Sequence, residues 1–574
     1  PSYEPITYAE LGRMRNAVAA GLAGLGVRKG DRVGILTDGG FEPLLVFLAC
    51  DLLAVCTVPL CNKLPEEILT HNINHSGVSF LVVDGKSLGQ VDAVAASLEQ
   101  PPKLIVTDGS REDATAWEQV AGCEAAPPAV AVSPSDETKV IYTSGTSGLA
   151  QGVVQTRPNI VANIRQVWDV VVESDNFRFF KSAPDYHSMG ILNIYYPLAK
   201  GWELDLARSP DRVLTDIRIS EPEGFLTVPL VLDKVYGNVR KEIDAGGLKG
   251  RLVERAVGAR QRIARGEASL GDRLVSATIG GKIVAKIKEQ LSKRVGGNLE
   301  LLIVGSAKAD PEALDFFQDV LGIRTLEGYG TTECAPLIAT NHLKGRKTGT
   351  VGRPLFEVRL VDEQGEVLAS ADPASGTSRP GPGAGELWVS GANVMKEYLD
   401  DPERNAEVLV EKDGRRWYRT GDLFSMDEEG FLTFQGRVGR QFKLANGEFI
   451  NPELLERVYS RAALVEHVLV SGDQTRSQPV VLATIDLEEA GKIEGVSGDE
   501  EAIRSHPEVA ERIRSQLLHE SDLAGLPAHE RPVNVVVLPA ALSEEDGTLT
   551  RGLKKVVPKA VEERYAGTIT AALS

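Results

Sequence analysis

Tyr142-Thr143-Ser144-Gly145-Thr146-Ser147-Gly148-Leu149-Ala150-Gln151-Gly152-Val153 is a hydroxyl- and glycine-rich run flanked by apolar residues. Its composition suits a loop that wraps a polyphosphate. Gly145, Gly148 and Gly152 let backbone N–H groups turn toward an anion without interference from a Cβ, and Thr143, Ser144, Thr146 and Ser147 add hydroxyl donors. A nucleotide loop of this kind normally carries a lysine to neutralise the terminal phosphates, yet the residue before its last glycine is Gln151. No Lys-Ser or Lys-Thr follows that glycine, so the run is not a GxxxxGK[ST] phosphate loop and a Walker-type ATPase is not expected. On composition alone a solvated Ser/Thr/Gly linker is an equal reading. The segments on either side decide between the two.

Upstream, Tyr8 to Leu22 has helical spacing and leads through Gly26-Val-Arg-Lys-Gly-Asp31 to the short apolar strand Arg32-Val-Gly-Ile-Leu36. A second helical run, Pro43 to Ala54, precedes Val55-Cys-Thr-Val-Pro59, and Val78-Ser-Phe-Leu-Val-Val-Asp84 and Leu104-Ile-Val-Thr-Asp108 read as buried strands ending in acids. This alternation predicts an α/β fold with largely parallel sheets. Downstream, residues 231–296 are rich in Lys, Arg, Glu and Ala at helical spacing and predict a helical excursion before the strand Leu301-Leu-Ile-Val304. Asp372 to Gly385, with its Pro, Gly and Ser, reads as a flexible surface loop, because strand-like Glu386-Leu-Trp-Val-Ser390 resumes at once.

The 574 residues, 42% hydrophobic and 25% charged, can bury a large core and should divide into two or more domains. A net charge of −18 argues against a general nucleic-acid or anionic-membrane surface, since both need a basic face. Cys50, Cys56, Cys61, Cys123 and Cys334 show neither CxxC pairing nor zinc spacing, as expected of reduced thiols in a cytoplasmic protein. The opening Pro-Ser-Tyr-Glu-Pro lacks the regions of a signal peptide and no apolar run reaches membrane-spanning length, so no integral membrane contact is expected.

Three further segments follow in order: Leu326-Glu-Gly-Tyr-Gly-Thr-Thr-Glu-Cys-Ala-Pro336, Tyr418-Arg-Thr-Gly-Asp-Leu423, and Gly436-Arg-Val-Gly-Arg-Gln-Phe-Lys-Leu-Ala-Asn-Gly-Glu-Phe-Ile-Asn-Pro-Glu453. Together with the 142–153 run they resemble, in order and spacing, the adenylate-forming superfamily of acyl-CoA synthetases, luciferases and adenylation domains. The helical insert and the Lys443-Leu-Ala-Asn-Gly-Glu-Phe449 form are most similar to the long-chain acyl-CoA synthetase and carboxylate reductase branches. The resemblance implies a large multi-layer N-terminal domain over 1–437, a hinge at 438–441 and a small mobile C-terminal α/β domain over 442–574.

It also implies the chemistry. A carboxylate attacks the α-phosphate of ATP, giving an acyl adenylate and pyrophosphate, and a thiol then displaces AMP. Tyr329 would stack on adenine, Asp422 would accept from both ribose hydroxyls, Thr332 would contact the α-phosphate, Glu333 would hold Mg²⁺ and Arg437 would contact ribose or phosphate. Thr143, Ser144, Gly145, Thr146, Ser147, Gly148 and Gln151, the turn Gly305-Ser306, and Glu327, Gly328, Gly330 and Thr331 complete the nucleotide site. His187, in Ala183-Pro-Asp-Tyr-His-Ser-Met-Gly190, would lie beside the acyl carboxylate, and Lys554, with Lys555 one step away, would bridge carboxylate and α-phosphate. Domain rotation would bring Lys443, Leu444, Gly447 and Glu448 to the pantetheine arm of CoA. Each also has a plain reading: a buried satisfied histidine, an Asp in a turn, a solvated lysine pair.

Three departures from the family pattern bear on mechanism: Gln151 in place of the loop lysine, Ala150 in place of proline, and Arg157 where many relatives have histidine. Loss of the lysine weakens stabilisation of departing pyrophosphate and leaves the thioester step untouched. The expectation is an acyl-CoA ligase whose adenylation is weak or absent, supplied with adenylate by a separate adenylating ligase. Two alternatives stand beside it. An ordinary two-step ligase follows if Arg157 or Lys181 reaches the phosphates, and an inactive acyl- or nucleotide-binding protein if all chemistry is lost. A carboxylate reductase or peptide-synthetase module would carry further domains after the C-terminal segment, and the sequence stops at Ser574, which favours CoA over a carrier-protein thiol. Alanine- and arginine-rich composition resembles natural-product ligases of platensimycin-type pathways acting on bulky diterpenoid acids; a fatty or aromatic acid is the default competitor.

Overall fold

The structure, a computed structural model, describes residues 3–573 apart from 144–149, 169, 172–173, 175, 210–211, 228, 245, 306–308, 344, 447, 474–477 and 550–555. It divides into two units. One comprises the chain to Gly383 with Trp388–Thr420 and Met426–Thr433; the other comprises Ala384–Leu387, Gly421–Ser425 and the chain from Phe434 onward.

In the first unit, Thr7 and Glu10 form a capping box that starts the helix Tyr8–Gly24. The chain then gives β1 (Arg32–Leu36), β2 (Cys56–Leu60), β3 (Phe80–Val83), β4 (Lys103–Val106), β5 (Thr115–Ala116), β6 (Glu137–Thr143) and β7 (Gln151–Thr156). Cys56–Leu60 and Phe80–Val83 are buried at every residue, as strands covered by helices on both faces must be. Strands β1 to β6 pair in parallel in the order β6-β2-β1-β3-β4-β5, and β7 returns antiparallel to β6. The order reverses at β1, and there the Asp38 N–H after β1 donates to Asp84 Oδ2 after β3 at 2.7 Å.

A second sheet is built from β8 (Arg178–Lys181), β9 (Glu203–Leu206), β10 (Gly224–Thr227), β11 (Leu301–Val304), β12 (Arg324–Gly330), β13 (Leu337–Thr340) and β14 (Arg353–Pro354) in the order β14-β13-β12-β11-β10-β8-β9. It is parallel from β9 to β12, and β13 turns back against β12. The excursion expected over 231–296 contains, among the described residues, the helices Pro229–Asp244, Gly247–Ala264, Leu270–Val275 and Gly281–Val295, the last two joined by a π-helical turn at Ser276–Gly280, and Val253, Val257, Val284 and Leu291 pack into the core with Phe225 and Leu302.

The sequence reading is corrected over 372–385. The chain runs β15 (Glu357–Val361), β16 (Val367–Asp372), β17 (Thr377–Arg379) and β18 (Gly381–Ser390), with Asp372 opposite Thr377 across a tight turn. The Pro, Gly and Ser residues there bend a hairpin instead of forming a loose loop. Then come β19 (Glu397–Tyr398), paired with β7 at the edge of the first sheet, β20 (Leu409–Lys412), β21 (Arg415–Met426) and β22 (Leu432–Arg437). The third sheet, ordered β17-β16-β15-β18-β21-β20, pairs antiparallel at β15–β16, β16–β17 and β20–β21, which departs from the parallel pattern of the other two.

The second unit carries the hairpin Phe442–Lys443 with Phe449–Ile450 and the sheet Val465–Ser471, Val480–Ile485 and Asn534–Val537. Helices Pro452–Tyr459 and Pro507–Leu523 cover it, burying Leu455, Tyr459, Ile513 and Leu517 with Val481 and Ile485. It is a small α/β body with a core of its own.

Candidate active site

Thr143 and Gln151 face each other at the mouth of the β6–β7 hairpin, whose tip, including Ser144, Gly145, Thr146, Ser147 and Gly148, lies outside the described residues. Ser306, Gly447, Lys554 and Lys555 also lie outside them, so the sequence expectations for all of these stay expectations. At the hairpin mouth the Gln151 amide Nε2 donates to Asp401 Oδ2 at 3.2 Å. The other oxygen of Asp401 accepts from the Arg404 N–H at 3.0 Å and caps the helix Pro402–Val408. Asp401 was not foreseen as a partner of Gln151; Asp401-Pro402 reads as a helix start, but nothing in the sequence aims its second oxygen at a residue 250 positions away.

The two cations that could substitute for the absent lysine are engaged elsewhere. Arg157 Nη2 donates to the Asp51 backbone carbonyl at 2.8 Å, at a cluster in which fully buried Lys139 pairs with Asp51 Oδ1 at 3.0 Å and Tyr195 donates to the same carboxylate. Lys181 Nζ pairs with Asp185 Oδ1 at 2.9 Å and donates to the Ala183 carbonyl at 2.9 Å. Both side chains of the Lys181–Asp185 pair are nearly buried, which screens it little.

The Glu327–Glu333 motif forms the end of β12 and the turn into β13. Gly330 is dictated by close approach, since a Cβ there would sit 2.1 Å from the Pro336 carbonyl oxygen. Gly330→Ala should lower stability by about 2–3 kcal/mol, read as a fall in the urea midpoint. The turn is braced from the β6–β7 side: Gln155 Nε2 donates to the Thr332 carbonyl at 2.7 Å, and Asn163 bridges the Cys334 carbonyl and the Leu337 N–H at 2.8 and 2.9 Å. Thr332 Oγ1 is 3.4 Å from Ser188 Oγ, at the first turn of the helix Ser188–Lys200, for which His187 is the N-cap residue. β7, the Thr332 hydroxyl and a helix N-terminus therefore converge. A helix N-terminus favours negative charge, as an α-phosphate would supply.

Glu333 Oε1 accepts from the Tyr398 hydroxyl at 2.6 Å, and the Glu333 carbonyl accepts from the Met395 N–H at 2.7 Å. Burial first, and then the nearby Glu333 carboxylate, push the Tyr398 phenol well above its ordinary pKa, so it stays a neutral donor. Among the described residues no group of three or more His, Cys, Asp or Glu side chains could hold a metal. A Mg²⁺ here would be held by Glu333 together with phosphate oxygens, the usual habit of a hard cation that arrives with its nucleotide. Burial also raises the Cys334 thiol, which removes it as a nucleophile at neutral pH. The half-buried Tyr329 and the buried Glu327 lie on the same strand, and Gly328 pairs across to Thr340.

Two histidines missed in the sequence flank the hairpin. From helix Glu66–Ser76, His71 Nε2 lies 3.3 Å from the Ala150 carbonyl and His75 Nδ1 lies 2.9 Å from the Tyr142 hydroxyl, with the rings stacked at 5.1 Å. Burial, then His71, holds the His75 imidazole below its ordinary value of 6.5. The unfolded chain therefore takes up this proton before the folded one does. The contribution is fully present above the ordinary value and is lost as pH falls through it. His75→Gln should flatten the loss of urea stability between about pH 7.5 and pH 5.5 relative to the parent.

In the second unit Asp422, 5% exposed, pairs with Arg437 Nε at 3.1 Å. Arg440 pairs with Glu456 at 2.9 Å and Glu453 at 3.5 Å on helix Pro452–Tyr459. Lys443 and Glu448 are exposed on the hairpin, whereas the Leu444 side chain is 2% exposed in the core, so only its backbone can meet a ligand.

A sequence profile of the AMP-binding enzyme family matches residues 1–399. The peroxisomal long chain acyl-CoA synthetase 6 of Arabidopsis thaliana is 29% identical over 604 residues, covering 99% of this chain and 81% of the relative. Long-chain-fatty-acid–CoA ligase 1 of Homo sapiens is 26% identical over 593 residues, covering 97% and 81%. Among solved structures, the adenylation domain of a carboxylate reductase from Mycobacterium chelonae aligns with a TM-score of 0.76 at 24% identity, covering 99% of this chain and 84% of that one. The anthranilate CoA ligase AuaEII in complex with anthranoyl-AMP aligns with a TM-score of 0.71 at 17% identity, covering 99% and 93%.

Proposed function

Because the chain belongs to the AMP-binding enzyme family and is an acid–thiol ligase of the adenylate-forming superfamily, we propose that it makes the CoA thioester of a lipophilic carboxylic acid and works chiefly in the second half-reaction. In the first half-reaction a carboxylate oxygen attacks the α-phosphorus of ATP and the bond to pyrophosphate breaks. In the second, the CoA sulfur attacks the acyl carbon, the bond to the AMP phosphate breaks and the thiol proton passes to solvent.

The observation that carries this reading is where three side chains are engaged: Gln151 with Asp401 Oδ2, Arg157 with the Asp51 backbone carbonyl and Lys181 with Asp185. Charge builds on the departing pyrophosphate only in the first step. Loss of one well-placed electrostatic partner lowers a rate by about 10²- to 10³-fold, or about 3–4 kcal/mol. An acyl adenylate carries one phosphate, which Thr332 and the start of helix Ser188–Lys200 can receive without residue 151. An ordinary two-step ligase would need Arg157 or Lys181 to leave its present partner.

In this reading Tyr329 stacks on adenine, Asp422 takes the ribose with Arg437 beside it, and His187 lies by the acyl group. Lys554 serves the adenylating conformation, and the segment Lys443–Glu448 serves CoA after rotation about 438–441. Glu333, with phosphate oxygens, would hold Mg²⁺, which would supply positive charge to the triphosphate. A second ligase would supply the adenylate. The long-chain acyl-CoA synthetases among the relatives favour a long aliphatic acid.

Release of AMP from synthetic acyl adenylates, with and without CoA, tests the ligase reading. A panel of fatty, aromatic and bulky polycyclic acyl groups should show CoA-dependent turnover for at least one lipophilic member. No CoA-dependent AMP from any of them would leave a binding protein.

A further inference from the structure

One stretch of the chain runs against its acidic balance. Residues 247–294, which form the last three helices of the excursion, hold twelve Lys and Arg against four Asp and Glu in a protein of net charge −18. Their inward faces are accounted for by Val253, Ala256, Val257, Val284 and Leu291 in the core. The outward faces show leucines where a solvated surface would not place them. Leu248 is 79% exposed, Leu270 86% and Leu274 67%. Two of them have exposed basic neighbours in sequence, Lys249 and Arg251 beside Leu248 and Arg273 beside Leu274, while Leu270 lies between Ser269 and Gly271. On helix Gly281–Val295, Lys282, Lys286 and Lys293 recur at helical spacing along the exposed side.

Single exposed leucines are common, but three of them within one basic segment of an acidic protein combine the two attractions that hold a helix at a lipid surface. Apolar side chains enter the acyl boundary, and Lys and Arg meet anionic headgroups. We propose that helices Gly247–Ala264, Leu270–Val275 and Gly281–Val295 form a docking surface for an anionic lipid bilayer. Charge complementarity selects this occupant. The rest of the chain is net acidic and is repelled by such a surface, which favours contact through these helices. Basic residues near an anionic leaflet strengthen binding, and their contribution fades beyond a Debye length of about 10 Å, so binding depends steeply on salt. Among the described residues no helix is long and apolar enough to cross a membrane, so attachment is peripheral and reversible. The inference does not depend on which half-reaction dominates. A lipophilic acid partitions into bilayers, and docking would place the enzyme at that store.

The test is sedimentation of the full chain with vesicles of phosphatidylcholine alone or with about 30 mol% phosphatidylglycerol, at about 0.1 M and 0.5 M salt. The expected result is at least about tenfold stronger binding to the anionic vesicles, lost at high salt. Leu248→Ser/Leu270→Ser/Leu274→Ser and Lys282→Glu/Lys286→Glu should each reduce binding about tenfold without changing the thermal melt, because every altered side chain is exposed. Equal binding to both vesicle types, no binding, or binding that both variants retain would overturn the proposal. So would loss in the charge variant alone accompanied by equal loss of heparin binding, which would assign the patch to a soluble polyanion.

Discussion

Gln151→Lys is expected to raise ATP–pyrophosphate exchange by about 10²-fold while changing CoA-dependent release of AMP from a preformed acyl adenylate by less than about threefold. The lysine ammonium would stand at the hairpin mouth opposite Thr143, where the loop begins its turn. Its gain falls short of the full range for an electrostatic partner, because Asp401 Oδ2, now accepting from Gln151 at 3.2 Å, would pair with the new cation. Adding Asp401→Asn should release more of the charge. Asparagine keeps an oxygen for the Arg404 N–H and is a good N-cap residue, so the helix Pro402–Val408 survives. A rise in exchange for the single variant, and a further rise for the double, would assign the deficit to charge. No change in either would direct attention to Ala150 or to the hinge.

The second large effect is at Asp422. Asp422→Ala should raise the KM for acyl adenylate by about 10²-fold, because hydrogen bonds to a charged group contribute about 1.5–3 kcal/mol each and the ribose would lose two acceptors at once. kcat at saturation should stay within about threefold, since the ribose lies away from the reacting bonds. The fold should tolerate the change: the partner, Arg437, is 64% exposed on its side chain, so the guanidinium left behind is solvated. An unchanged KM would reduce Asp422 to a strand residue that orders Arg437.

What could be read from the sequence followed from local physics. Arg32–Leu36 and Leu301–Val304 are short apolar runs bounded by polar or glycine residues, and they are strands with those limits. The four ordered motifs marked the family by their resemblance to it in order and spacing. Local patterns miss long-range partners. Tyr398 reaches Glu333, Gln155 reaches the Thr332 carbonyl and Asp401 reaches Gln151 across separations of 65, 177 and 250 residues, and none of the six carries a local signature of the contact. Leu444 sits in a run with the composition of a binding loop, yet just after the strand Phe442–Lys443 its side chain is buried in the core of the second unit. The Asp372–Gly385 hairpin was hidden because turn residues and loop residues have the same composition. The negative net charge concealed the basic helices because a sum over the chain carries no position.

The most direct measurement compares single-turnover rates on the same preparation: pyrophosphate release from ATP plus the acid, against AMP release from the corresponding acyl adenylate plus CoA. The account predicts that the first is slower than the second by about 10² or more. Comparable rates, with pyrophosphate released rapidly and stoichiometrically by the unmodified enzyme, would contradict it.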